Sequence, residues 1–269
     1  MFKLADSHIH LFDGGYLESG ADEVRDYEAL MRTFPIEAAL VVGYEGLEWA
    51  RGNNDFVADL AQSREWIRPV AFVFPEELTL KKLHALQAKN FIGISLYIFT
   101  EDDIRHIKNV PDEVWRWLSD NHWLMSVNSK GEILRVWLGI FEKYPELHLL
   151  ISHLGSPDIK NENVSTELIA KHLEVQRELH RYKNVYLKLS AFYALEPTKP
   201  PFPYKRSARY IEYVLKNFEQ SRLIWGSDFT PALADVTFEE TFTTFNEWLD
   251  NDAQLIEKVM HGNLMRLLD

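Results

Sequence analysis

The 269-residue chain contains no cysteine. That excludes disulfides, thiolate metal ligands and a cysteine nucleophile, and it fits a cytoplasmic protein. Long apolar runs are missing as well. No stretch approaches the ~18 uninterrupted apolar residues of a membrane helix, so no membrane partner is expected. The first residues read straight into a strand, without the basic and apolar regions of an export signal. Positive charge is scarce: 29 Lys and Arg stand against 41 Asp and Glu, for a formal charge of −12. A nucleic-acid partner needs clustered cations and is not expected. The acidic residues are spread along the chain and serve solubility, although a local Arg or Lys pocket for an anionic substrate would not show in net charge. Also absent are a Ser/Gly-rich linker, a low-complexity tract and an internal repeat.

What the chain does have is 46% hydrophobic residues, ample for a large core, arranged as short apolar runs alternating with amphipathic stretches. The runs predict strands at 3–10, 38–43, 68–74, 91–98, 124–128, 147–153, 184–190 and 222–228. Helical patterns lie between and after them, at 26–33, 54–64, 79–89, 112–121, 132–143, 165–181, 207–217, 238–250 and 253–259. Strand and helix alternate at roughly 30-residue intervals, which predicts one (β/α)8 TIM barrel over residues 1–269. An open doubly wound sheet is the other arrangement. It would want a Gly-rich phosphate loop after the first strand, and Gly14-Gly15 is not that fingerprint.

In such a barrel, chemistry sits at the C-terminal strand ends. The first strand ends on His8 and His10. Strand side chains alternate faces, so these imidazoles point the same way, about 7 Å apart along the strand. They can grip one divalent ion at roughly 2.0–2.1 Å for zinc. Asp6 is expected on the same face, one step deeper. The sixth strand ends on His153, the eighth on Asp228, and the seventh carries Lys188 and Ser190 on its polar, inward face. Closure makes strand eight the neighbour of strand one. His8, His10, His153 and Asp228 then form a candidate metal site, with Asp228 as ligand, general base toward water, or both. Tyr44, Tyr97, Asn128 and Ser190 lie at or near strand ends and could contact substrate. The remaining histidines fall on helices, loops or strand starts and read as surface residues. Each of the candidates taken alone could equally be a packing residue or, for Asp228, a helix cap.

Five stretches, taken together and in order, resemble the amidohydrolase superfamily, in its amidohydrolase-related branch of lactonases and metal-dependent decarboxylases. They are Ala5-Asp6-Ser7-His8-Ile9-His10-Leu11, Ile151-Ser152-His153-Leu154-Gly155, Val185-Tyr186-Leu187-Lys188-Leu189-Ser190, Trp225-Gly226-Ser227-Asp228-Phe229 and Gly262-Asn263-Leu264-Met265-Arg266-Leu267. The resemblance implies a (β/α)8 barrel and hydrolysis or decarboxylation of a small carbonyl compound. It also implies one divalent ion, Zn first and Mn second, at His8, His10, His153 and Asp228, with His153 and Asp228 as the catalytic pair. Two departures stand out. Asn128 occupies the fifth-strand position where many members have a second histidine. The fourth strand, Ile92-Gly93-Ile94-Ser95-Leu96-Tyr97, offers no bridging lysine, so one ion at most is expected. The lactonase-like members fit best, and some of those work without a metal.

Three readings follow. The first is a hydrolase of a lactone or related cyclic ester, in which Asp228 activates water and His8, His10 and His153 stabilise the oxyanion, directly or through a metal. Tyr97, Asn128, Lys188 and Ser190 are its expected substrate contacts. The second is a metal-dependent, non-oxidative decarboxylase of an aromatic or enoic acid. It requires a carboxylate-binding cation, for which Arg51, Arg105, Lys205 and Arg206 are candidates by loop position. The third is a non-catalytic barrel with a binding role. A small-molecule substrate is the expected partner, its identity set by loops at 13–23, 100–110 and 193–205, and a homodimer is compatible with an acidic, aromatic-rich barrel.

Overall fold

The computed structural model describes residues 2–157, 159, 164–196 and 202–269. Eight parallel strands pair in chain order: β1 Leu4–Ile9, β2 Ile36–Val42, β3 Ile67–Phe72, β4 Gly93–Ile98, β5 Leu124–Ser129, β6 His148–Ile151, β7 Val185–Leu189 and β8 Leu223–Trp225. All eight fall within the predicted segments or one to two residues of them. The sheet closes between β8 and β1 through a parallel bridge from Ile9 to Phe229, with the Asp228 N–H donating to His8 O at 2.9 Å. This is the single (β/α)8 barrel expected from the alternation.

The helices are α1 Glu23–Thr33, α2 Asn53–Ala61, α3 Leu80–Gln87, α4 Glu101–Lys108, α5 Asp112–Asp120, α6 Val136–Phe141, α7 Thr166–His172, α8 Glu174–Leu179, α9 Phe192–Leu195, α10 Lys205–Asn217, α11 Glu240–Trp248, α12 Ala253–Glu257 and α13 Asn263–Leu268. None is long and apolar enough to cross a membrane. Two apolar cores result. The larger packs the outer strand faces against the helices, around Trp137, Trp225, Tyr27 and Phe141. The smaller fills the barrel interior with Ala5, Leu40, Val42, Val70, Leu124, Leu150 and Ile224. Leu264 of α13 joins this inner core. The Asn263 side chain holds that helix in place by donating to Leu223 O and Gln220 O, both at 2.8 Å.

Several features differ from the sequence reading, α9 at the start of the predicted 193–205 loop among them. The 100–110 stretch is α4 rather than a loop. Thr100 caps the backbone N–H of Asp103, whose carboxylate returns to the Thr100 N–H, a capping box visible in the residues themselves. The helix predicted over 165–181 divides into α7 and α8 at Leu173, where φ −106° and ψ 15° leave the helical region. Asp6 does not join the face of His8 and His10. On β1 the pairing with β2 slips between Asp6 and Ile9, and such a bulge re-aims the side chains around it. The Asp6 carboxylate lies instead in the β8–β1 seam, accepting from Ser227 N at 2.9 Å, His8 N at 3.2 Å and Tyr27 Oη at 3.2 Å. Gly226 permits this seam: a Cβ there would sit 2.9 Å from His8 Cβ. Of the 193–205 loop, residues 197–201 lie outside the described residues.

Candidate active site

Three neighbouring strands deliver their functional groups through left-handed turns. His153 follows β6 at φ 55°, Ala191 follows β7 at φ 56°, and Asp228 follows β8 at φ 60°. A left-handed residue other than glycine costs roughly 1–2 kcal/mol, and such strain gathers where geometry must be fixed. Here it turns the chain off the strand end at the mouth of the barrel.

At that mouth His8, His153 and Asp228 each present a ligand atom, all within 4.8 Å of one another and all buried. His10 completes the group, its Nε2 lying 3.1 Å from His8 Nε2 and 3.8 Å from Asp228 Oδ1. His8 Nε2 is 3.7 Å from the same oxygen. Each member is gripped from behind. His10 Nδ1 donates to Val42 O at 2.7 Å; a carbonyl can only accept, so His10 Nε2 keeps its lone pair. His8 Nδ1 meets Lys188 Nζ at 3.0 Å, and Lys188 also donates to Ser126 Oγ at 2.8 Å. His153 Nδ1 bonds Ser190 Oγ at 2.9 Å, and Tyr193 Oη donates to Asp228 Oδ2 at 2.6 Å. With Oδ2 capped, Asp228 turns Oδ1 toward the histidines.

Burial sets the protonation of this cluster. It lowers His8 well below the ordinary histidine value, with Lys188 adding to the effect. His10 is lowered and His153 is pushed down to about 3 for the same reason, so all three imidazoles are neutral near pH 7. Burial raises Asp228, against the pull of His10, Tyr193 and Lys188. Lys188 is driven down to about 7 by burial, opposed by Asp228 and Asp6. Lys188 can therefore meet His8 Nδ1 as a donor or, as a neutral amine, as an acceptor. In the second arrangement the Nε2 lone pairs of both strand histidines are free on the side of Asp228. Neutral imidazoles and one carboxylate within this span are a donor set that fits a divalent ion.

The cluster opens into a cavity of about 800 Å³ lined by His10, His153, Asp228, Tyr97, Asn128 and Tyr193 among others. Tyr97 and Asn128, the expected substrate contacts on β4 and β5, both line it. Lys188 and Ser190 do not line it; they were expected at the substrate but stand behind His8 and His153, because the inward face of β7 lies deeper than the cavity floor. Tyr44 belongs to a ring cluster beside the mouth, 5.0 Å from Tyr97. The candidate cations also move. Arg51 pairs with Glu48 and Arg105 with Asp102 at the surface, while Lys205 lines a groove beside α10 and α11. Arg206 does not line the cavity. Among the described residues, Lys130 and Lys171 are the cations that line the cavity. Tyr193 and Ser126 were not singled out in the sequence. Tyr193 sits three residues past Ser190, and only its proximity to a seventh strand end could have marked it.

The Amidohydro_2 amidohydrolase family model matches residues 5–269. No curated protein sequence matches significantly. Among solved structures, an amidohydrolase of Burkholderia multivorans with bound zinc superposes with a TM-score of 0.79 at 16% identity, over 98% of both chains. A probable 2-pyrone-4,6-dicarboxylic acid hydrolase of Acinetobacter baumannii with bound citric acid gives 0.74 at 16% identity, over 98% of both chains. The 5-carboxyvanillate decarboxylase of Sphingomonas paucimobilis gives 0.65 at 10% identity, over 99% of both chains. At these identities the superpositions speak for the fold, while the family model covers the motifs themselves. With its residues 5–269 matched and its barrel formed, the chain belongs to the amidohydrolase family, among the amidohydrolase-related enzymes.

Proposed function

We propose that this chain hydrolyses a small carbonyl compound, a lactone or related cyclic ester in preference to an amide, with Asp228 as general base. The observation that carries this reading is the posture of Asp228. One carboxylate oxygen is pinned by Tyr193 and the other lies 3.7 and 3.8 Å from the Nε2 atoms of His8 and His10, at the floor of the cavity. The zinc-bound and pyrone-hydrolase neighbours support it.

His8, His10, His153 and Asp228 would hold a divalent ion, zinc first and manganese second. When bound, such an ion polarises a carbonyl and lowers the pKa of a coordinated water toward ~7. The chain's own residues do the rest. Asp228 Oδ1 takes a proton from water as the new C–O bond forms at the carbonyl carbon. The ring C–O bond then breaks, and Asp228 returns that proton to the leaving alkoxide, giving a hydroxy acid. Tyr193 keeps Oδ2 out of the reaction. Ser190 and Lys188 act as positioning residues, fixing the rings of His153 and His8. Tyr97 and Asn128 bound the substrate. In a metal-free enzyme His153, with Nδ1 accepting from Ser190 and its proton on Nε2, would donate to the oxyanion directly.

The test is hydrolysis of a panel of γ- and δ-lactones followed by proton release. Wild type and Asp228→Asn are compared after chelator treatment, and again after zinc or manganese is restored. Turnover lost in the variant and dependent on the ion supports the metal-assisted form; ion-independent turnover supports the metal-free form. A wild type no faster than Asp228→Asn on every lactone ends the hydrolase reading. The decarboxylase reading, favoured by one neighbour, gains ground if the same protein releases CO2 from an aromatic or enoic acid, with Lys130 or Lys171 as the carboxylate contact.

A further inference from the structure

Among the described residues, the exposed large apolar side chains are Leu17, Leu47, Phe74, Phe99 and Leu233. Every one lies on a segment leaving the C-terminal end of a strand: Leu17 after β1, Leu47 after β2, Phe74 after β3, Phe99 after β4 and Leu233 after β8. None is on the outer helices or at the opposite barrel end. An apolar rim gathered on the catalytic face is a surface with a purpose, whereas scattered single residues need no explanation.

The rim meets a cluster of rings, of which Tyr97 and Phe99 line the cavity while Tyr44, Phe72 and Phe74 pack behind them. Phe99, 40% exposed, is 6.1 Å from Tyr97, and both line the cavity that holds Asp228 and His153. Tyr97 is 5.7 Å from Phe72, which is 4.8 Å from the half-exposed Phe74. Tyr44 backs the same wall, 5.4 Å from Phe72. Among the described residues, charge on the cavity wall lies elsewhere, on Lys130, Glu132, Lys171 and Glu174, which follow β5 and β6. The volume, about 800 Å³, is at the upper end of small-molecule sites and exceeds what one unsubstituted lactone ring fills.

Building on the hydrolase reading, we propose that the substrate is a lactone or ester carrying an extended, uncharged apolar substituent. The carbonyl sits over Asp228 and the substituent lies along Tyr97 and Phe99 toward the exposed rim. Burying each methylene against such a wall strengthens binding about three- to fourfold until the track is filled.

The experiment is a chain-length series. kcat/KM is measured for γ-lactones from four to twelve carbons, and binding of the matching 5-alkyl-2-pyrrolidinones, which resist hydrolysis, is followed by tryptophan fluorescence. We expect kcat/KM to rise about threefold per methylene to a plateau, with the lactam Kd falling in step. Phe99→Ser, a change at an exposed position that leaves the core intact, is expected to cut the ratio between the longest and shortest lactones at least fivefold. A flat or falling lactone series, or an unchanged ratio in Phe99→Ser, overturns the proposal while the hydrolase reading stands. If no lactone turns over yet lactam affinity climbs with chain length, the apolar track stands and the hydrolase reading falls. If lactam binding is also flat, both fall.

Discussion

On the β6, β7, β8 and β1 side of the mouth each functional group is anchored from behind by a directional bond: His8 by Lys188, His10 by Val42 O, His153 by Ser190 and Asp228 by Tyr193. On the β2, β3 and β4 side the wall is a set of rings, Tyr44, Phe72, Phe74, Tyr97 and Phe99, in mutual contact. Hydrogen bonds are short-ranged and angular, so removing one atom releases a catalytic group. Ring contacts are spread over many atoms and tolerate the loss of any one. In the proposed function the polar side sets what reaction occurs, and the aromatic side sets what fits.

Substitutions can break this contrast. Asp228→Asn keeps the shape of the polar side and removes its base; activity should fall about 10³-fold with the melting temperature little changed. Retained kcat would reject Asp228 as the base. Lys188→Met acts one shell back. It strips His8 of its Nδ1 partner at 3.0 Å and should cost about 10- to 100-fold in activity or metal affinity, read by kinetics and elemental analysis. Tyr193→Phe frees Oδ2 of Asp228 and should lower kcat about fivefold, in line with the net worth of one hydrogen bond, with KM nearly constant. A KM effect alone would make Tyr193 a substrate contact. On the aromatic side Phe72→Leu should change KM by only a few-fold and leave kcat in place; a large kcat loss there would dissolve the distinction between the two sides.

A last test sharpens the comparison from outside the mouth. His180, buried and accepting the Glu219 N–H at 2.9 Å, is pushed down to about 4 by burial and Arg222. The unfolded chain binds a proton at this residue near pH 6.5 and the folded chain only near 4. Its contribution to stability is thus present above pH 6.5 and lost as pH falls toward 4. His180→Gln should narrow the gap in melting temperature between pH 7 and pH 4.5 without altering kcat at pH 7. An unchanged gap would show that His180 does not titrate on unfolding.

Much of this was legible in the residues. Strand period and apolar runs placed all eight strands, and His8, His10, His153 and Asp228 could be gathered because a closed barrel must bring the eighth strand beside the first. α4 went unseen although Thr100 and Asp103 spell its capping box, since the acidic, polar run around them reads as loop. Strict alternation puts Asp6 on the face of His8 and His10, but it holds only without a bulge, and a bulge depends on the partner strand.

The sequence alone determined the barrel, through local periodicity, and the set of ligand-type side chains, through their positions at strand ends. The tertiary structure decided which groups those side chains lean on. Lys188 beneath His8, 180 residues away, Tyr193 beside Asp228 and Val42 behind His10 are partners across separate elements. Such pairings follow from depth in the barrel and from the turns at φ 55–60° that end β6, β7 and β8. Neither is written in the spacing of residues along one strand. Both depend on how the eight strands tilt and close around a common interior.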